Sequence, residues 1–230
     1  MRIVDIVNKI YFLTNTNATS FPAADMLIGI NNAYERVVSL IMQTDGRWEW
    51  DDTNQTDLPI GTTTLTTNQQ DYSMAVTHLA ITRVQIKDTA GNWSQLQPLS
   101  QDDLRGLALD EFMKTSGVPV YYDKLGGSVF LYPKPNYTQA ASLKIHYKRP
   151  PELYTSAEVA TGTKVPGFNS LYHDIIPLWV SYDYGIAKGL PNVNQIMVEI
   201  TRKEEALQSD YQMRDKDEVL TLRVRQTSSR

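Results

Sequence analysis

The stretch VPVYYDKLGGSVFLYPKP (118–135) decides how the chain is read. Val, Tyr, Phe and Leu fill two arms, Gly126-Gly127 divides them, and Pro133 and Pro135 close the second. Aromatic and β-branched side chains suit a pleated surface. Paired glycines reach the backbone angles that a two-residue loop demands, and proline cannot continue a strand ladder. The stretch is therefore a β-hairpin, set just past the middle of a 230-residue chain.

The flanks are also β. TTTLTT (62–67) favours strand, DYSM (71–74) is a short extended candidate, and LAITRVQIKD (79–88) alternates in its second half. Ala90-Gly91-Asn92 turns that segment into WSQLQPL, a second hairpin. ASLKIHYKRP (141–150) sets Leu143, Ile145 and Tyr147 against Lys144, His146 and Lys148, which makes a half-buried strand. SQDDLRGLALDEF (100–112) interrupts the series as a short helix, capped by Ser100 with Asp102 and Asp103 in its first turn.

Further out on both sides the apolar period changes from two to three and four. Ile3, Ile6, Val7, Ile10 and Leu13 form one helical stripe. A second helix begins near Pro22, carries Leu27, Ile30, Tyr34, Val37, Val38 and Ile41, and stops at Asp45-Gly46. A third stripe comprises Leu171, Ile175, Leu178, Trp179, Tyr182 and Ile186, with Pro177 inside it as an expected kink and Gly189-Leu190-Pro191 as its end. Val193, Ile196, Met197, Ile200, Leu207 and Tyr211 define a fourth. The fold class is α+β. A helical bundle domain over 1–57 and 165–213 holds an inserted, antiparallel β-rich domain over 58–164, and an extended C-terminal arm covers 214–230. Trp48 and Trp50 mark the junction of bundle and insert; with Trp179 and Tyr182 they form the expected packing seam or subunit interface.

Composition narrows the function. Hydrophobic residues make up 41 % and aromatics 10 % of the chain, enough for a packed core. Net charge is −4 and the isoelectric point about 5.4, which argues against DNA as the main ligand, because phosphate contacts need basic side chains. With no cysteine, disulfides, thiolate metal sites and Cys nucleophiles are excluded. The N-terminal apolar pattern is interrupted by Asp5, Asn8 and Lys9, unlike a signal peptide, and no apolar run approaches the about 18 residues of a membrane span.

No catalytic, cofactor-binding or metal-binding constellation stands out. His78, His146 and His173 lack partners at ligand spacing, and His173 reads as a helix-surface or interface residue. Glu49, Asp51 and Asp52, and Asp102 with Asp103, are carboxylate neighbours of the kind a peptidoglycan or glycan hydrolase uses, although such neighbours more often solvate turns or cap helices. Tyr121, Tyr122, Phe130 and Tyr132 offer a stacking platform for a binding module, but strand alternation sends part of that set into the core.

The tail differs from the body. Residues 214–230 hold five basic and three acidic side chains, so the arm is net +2 and the rest net −6. Val219, Leu220, Leu222 and Val224 alternate with polar positions and with Arg223 and Arg225. Such a pattern suits addition to a partner's sheet or threading into its groove.

The order of elements, together with INNAYERVVSLIMQTDGRWEWDDTNQTDLP (30–59), TTTLTTNQQDYSM (62–74), ITRVQIKDTAGNWSQLQPLS (81–100), GVPVYYDKLGGSVFLYPKP (117–135), IHYKRPPELY (145–154) and VPGFNSLYHDIIPLWVSYDYGIAKG (165–189), resembles the head-to-tail adaptor (connector) proteins of tailed bacteriophages. That resemblance implies a virion structural protein without catalysis or cofactor, made in the host bacterial cytoplasm and placed at the head-tail neck. It implies a homo-oligomeric ring, a dodecamer in the usual case, stacked on the portal protein and docking tail or nozzle proteins. DNA would pass through the lumen without specific binding, and no membrane would be involved. By the same implication the arm grips the portal through Val219, Leu220, Leu222, Arg223, Val224 and Arg225. The alternative function is the hydrolase acting in phage entry.

Overall fold

A computed structural model describes residues 1–44, 52–55, 57–99 and 115–213. The fold is α+β, with helices at the N-terminal side, sheets between, and helices again at the C-terminal side. The described residues fall into two compact units, one of residues 1–44 and 153–213, the other of residues 52–152.

The helical unit contains α1 (Ile3–Thr14), α2 (Ala23–Thr44), the short α3 (Ser156–Thr161), α4 (Ile175–Lys188) and α5 (Val193–Met213). α4 is its centre and packs against α1, α2 and α5. Seven consecutive residues from Ile175 to Ser181 are buried, so its first two turns are enclosed on every side. A helix that is apolar all round requires such a position. α1 buries Ile3, Ile6, Val7 and Ile10, with Leu13 of the expected stripe half-buried, and α2 buries Met26, Ile30, Ala33, Tyr34, Val37, Val38 and Ile41, so that Met26 rather than the expected Leu27 faces the core. At Gly29 the neighbouring helix comes close: an added Cβ would lie 3.4 Å from Val180 Cγ1.

The chain re-enters this unit through a clasp on α2. Asn31 donates from Nδ2 to the Tyr154 carbonyl (3.0 Å) and accepts from the Tyr154 N–H at Oδ1 (2.9 Å). One turn on, the fully buried Tyr34 hydroxyl accepts from Gly167 N–H (2.8 Å), and its ring lies 5.5 Å from Tyr154 and 6.0 Å from Phe168. α2 thus supplies both the polar and the aromatic partners of the returning strand of chain.

Among the described residues, the β unit holds ten strands in three sheets. The first sheet has the order β1 (Ile60–Leu65), β10 (Gln139–Lys148), β3 (Ala80–Lys87), β4 (Trp93–Gln95), all antiparallel. The second has the order β2 (Asp71–Ser73), β8 (Ser128–Tyr132), β7 (Tyr121–Leu125), β5 (Gln97–Pro98). Strands β6 (Ser116–Gly117) and β9 (Lys134–Pro135) form a small pair. Inward positions of the two larger sheets meet in one core of Leu65, Tyr72, Val84, Ile86, Tyr122, Val129, Leu131, Leu143, Ile145 and their neighbours. The expected hairpin closes at Gly126-Gly127, with Gly126 at φ +58°.

Two bulges re-aim side chains. In β3, Ile81 and Val84 are three apart yet both buried, because the register against β10 shifts between His146 and Tyr147 and one extra residue is accommodated. In β10, the register against β1 shifts again near Ala141, which adopts φ +50°, and Ser142 Oγ donates to the Gln139 carbonyl (2.6 Å).

Several expectations require correction. Residues 153–164, expected with the β-rich insert, lie in the helical unit, where Thr155 and Glu158 form a capping box that starts α3, and residues 52–55 and 57, expected with the bundle, lie in the β unit. Pro177 does not kink a helix interior: α4 begins at Ile175, so Pro177 sits in the first turn, where a missing N–H leaves no hydrogen bond unmade. Leu171, expected in the apolar stripe, lies in a 3₁₀ turn (Ser170–Tyr172) and is 69 % exposed. The sheets are not wholly antiparallel, since β5 joins β7 and β6 joins β9 in parallel two-residue pairings. The helix expected over 100–112 and the arm at 214–230 lie outside the described residues.

Candidate functional site

The residues marked by sequence meet two different fates. Trp48, Trp50, Val219, Leu220, Leu222, Arg223, Val224 and Arg225 lie outside the described residues. Trp179 and Tyr182 lie on α4, where a polar and aromatic cluster joins three helices. Trp179 is nearly enclosed. The Arg36 guanidinium from α2 lies 3.7 Å above its ring, and its indole Nε1–H donates to Glu204 Oε1 on α5 (2.8 Å). Arg36 Nε reaches the same carboxylate oxygen at 3.3 Å. Tyr182, one turn on and half-buried, meets Trp179 edge-on at 5.6 Å. A cation held over an indole contributes roughly 0.5–2 kcal/mol depending on its exposure. The side chains of Asn32, Ala33, Arg36, Trp179 and Asp183 line a shallow cleft of about 270 Å³ at this point.

The same helix α5 is fastened at its middle and near its C-terminal end. The Lys203 ammonium is 3.5 Å from Asp174, whose other oxygen is 2.8 Å from Lys9 on α1. Burial alone would raise the Asp174 carboxyl, but the two ammoniums outweigh it and hold it below the usual range. Near the C-terminal end, the Tyr172 hydroxyl donates to the Asp210 carboxylate and the Asn169 N–H to the Tyr211 hydroxyl (3.4 Å). Burial, then the Asp210 contact, push the Tyr172 phenol up to about 12. These bonds fix the direction in which α5 ends at Met213, the residue that precedes the arm.

His173 is also part of this wall. It is 3 % exposed rather than on a helix surface, with Nε2 2.9 Å from the Phe168 carbonyl and Nδ1 2.7 Å from the Met1 amine. A ring that donates from Nε2 and accepts at Nδ1 is neutral, and burial lowers its pKa accordingly. Sequence alone gave no sign of this, because its partners are set by the fold.

In the β unit one of the marked carboxylates, Asp52, has structural partners. Asp52 is 1 % exposed and accepts from Asn54 N–H (2.9 Å) and Glu152 N–H (3.0 Å). Asp51, Asp102 and Asp103 lie outside the described residues. Beside Asp52, a groove of about 590 Å³ is lined by Asn54, Gln55, Asp57, Tyr147, Arg149 and Pro150 among others. Its arginine is 6 % exposed and donates to the Asp57 carbonyl (2.6 Å). Among the described residues no group of three or more His, Cys, Asp or Glu is placed to hold a metal ion. Of the hairpin aromatics, Tyr122 and Tyr132 are buried and Tyr121 and Phe130 half-buried. Within the described residues no helix is long and apolar enough to cross a membrane.

Reasoning along the sequence missed Arg36 and Glu204, which sit on polar helix faces some 170 residues apart (168) and meet only through the packing of α2 and α5. No curated protein matches the chain. Over residues 1–225, nearly its whole length, it matches the SU10 adaptor protein family, and it belongs to that family of bacteriophage structural adaptors.

Proposed function

We propose that the chain forms a closed ring between portal and tail, extending the DNA channel and offering a docking surface to tail or nozzle components. Family membership supports association with portal and tail components at the virion neck, and a structural rather than catalytic role. The ring, of about 12 copies, is the cyclic arrangement in which identical chains close a collar. Residues 214–230 act as the portal-docking arm, through Val219, Leu220, Leu222, Arg223, Val224 and Arg225. Trp48 and Trp50, with Trp179 and Tyr182, serve the packing seam or the contact between copies.

The observation that carries this reading is the family match over nearly the full length. The fastening of α5 by Tyr172 and Tyr211 supports the arm, since an extended docking segment binds with less entropic loss when its point of departure is rigid. Negative-stain microscopy of the chain mixed with portal should show one ring stacked on another. A chain ending at Met213 should keep its melting temperature and lose portal attachment. Undiminished docking by the shortened chain removes the arm from the proposal, and failure of the full chain to join portal or virions removes the adaptor ring.

A further inference from the structure

We propose that the outer face of the first sheet binds duplex DNA through its phosphate backbone. This goes beyond the ring reading and does not depend on it. The inward positions of this sheet are fixed by the core: Val84 and Ile86 on β3, Leu143 and Ile145 on β10. Alternation then places Arg83, Gln85 and Lys87, and Lys144, His146 and Lys148, on the opposite face. The register brings them side by side. Lys144 pairs with Gln85, His146 with Arg83, and Gln85 with Gln95. Trp93 stands opposite Lys87 on the same face, 39 % exposed, with Lys144 Nζ at 4.2 Å and Lys87 Nζ at 6.0 Å from its ring.

The four strands contain no Asp or Glu, in a chain where acids outnumber Lys and Arg by 26 to 22. Asp88, at the edge of the face, turns its carboxylate into its own loop, accepting from Asn92 N–H (2.8 Å) and Nδ2 (3.3 Å). Among the described residues, Arg83, Lys87 and Lys144 have no carboxylate within ion-pair distance. The cations therefore form a concentrated positive field.

The chemistry of the face favours a polyanion over a protein. Protein interfaces draw on a desolvated apolar centre and are depleted in lysine. Here the one aromatic is already covered by lysine, and its neighbours are Gln, Thr and Arg. Nucleic-acid interfaces are polar and positively charged, and Lys, Arg, Gln and Thr are the side chains that contact phosphate oxygens. Duplex is favoured over single-stranded DNA because single strands bind by stacking bases on several aromatic rings, and this face offers only Trp93. The contact has no base-reading element and is independent of sequence.

The test is fluorescence anisotropy of a labelled 40-bp duplex (length roughly that of several helical turns) with the full chain. Binding at about 50 mM salt should weaken on the order of 40-fold by about 200 mM, the dependence expected for three phosphate contacts. The Arg83→Gln/Lys87→Gln/Lys144→Gln variant should melt as the parent does and lose at least about tenfold in affinity, with a salt slope lower by about three. Lys87→Arg/Lys144→Arg should bind like the parent. Absence of binding, or equal binding and equal slope in the triple Gln variant, overturns the proposal. So does tighter binding of a 40-nucleotide single strand. Loss of self-assembly in the Gln variant, with duplex binding intact, would make the face a contact between copies and overturn it too.

Discussion

The helical unit and the β unit solve the same problem with different materials. In the helical unit, each stripe lies within one continuous segment, and α4 is enclosed by helices whose own apolar residues are three and four apart. In the β unit, the core gathers residues from Leu65 to Ile145, and no strand supplies more than three of them. Polar groups follow the same division. The helical unit joins its elements by charged and hydroxyl groups across helices, as at Lys9–Asp174–Lys203 and Tyr172–Asp210. In the β unit, burial raises the phenols of Tyr72, Tyr122, Tyr132 and Tyr137, with little charge pairing around them. Local pattern is therefore enough to define helices, whereas the sheets depend on register between distant strands.

The contrast can be broken most sharply at Tyr34. Replacing it by Ala removes a fully buried ring together with the Gly167 bond, and should destabilise the helical unit by about 3–5 kcal/mol. Thermal melts followed at 222 nm would show it. An unchanged transition would mean that the returning segment is held without the clasp on α2.

Asp52→Ala comes next and probes the other unit. It leaves the N–H groups of Asn54 and Glu152 without their carboxylate, at a cost of about 1–3 kcal/mol. Chemical denaturation should give a lower midpoint with the slope preserved. A midpoint equal to the parent's would show that the β unit does not need its ends tied.

The smallest effect belongs to Tyr172→Phe, about 1–2 kcal/mol near neutrality. Here pH sharpens the comparison. With a folded pKa raised to about 12, the phenol's stabilising bond is fully present below the unfolded value near 10. It is lost as pH rises from there through about 12, because the unfolded chain gives up its proton first. Parent and variant should therefore melt at converging temperatures as the solution is taken from pH 9 to about 12. A constant gap across that range would show that the Asp210 contact contributes nothing to folding.

Legibility in the sequence followed the same physics. The stripes of α1, α2 and α5 and the Gly126-Gly127 hairpin lie within one stretch each and were readable. The capping box at Thr155 and Glu158 has its Thr-x-x-Glu signature in the sequence too, but it stands four residues after a proline pair and just past the end of a strand. Pro177 misled because the start of α4 depends on a 3₁₀ turn upstream, which has no apolar period. The Trp179 cluster was half-visible: the indole was marked, while Arg36 and Glu204 required knowing that α2 and α5 are neighbours. The basic face of the first sheet was visible strand by strand as alternating Lys and Arg. Only the order β1-β10-β3-β4 gathers them, with β3 and β10 some sixty residues apart (61 between His146 and Gln85).

The bond from Glu152 N–H to Asp52 Oδ2 spans 100 residues of sequence and ties entry to exit. A module stapled at its own doorway behaves as a cassette. Lengthening or exchanging a surface loop between those two positions leaves that closing bond in place.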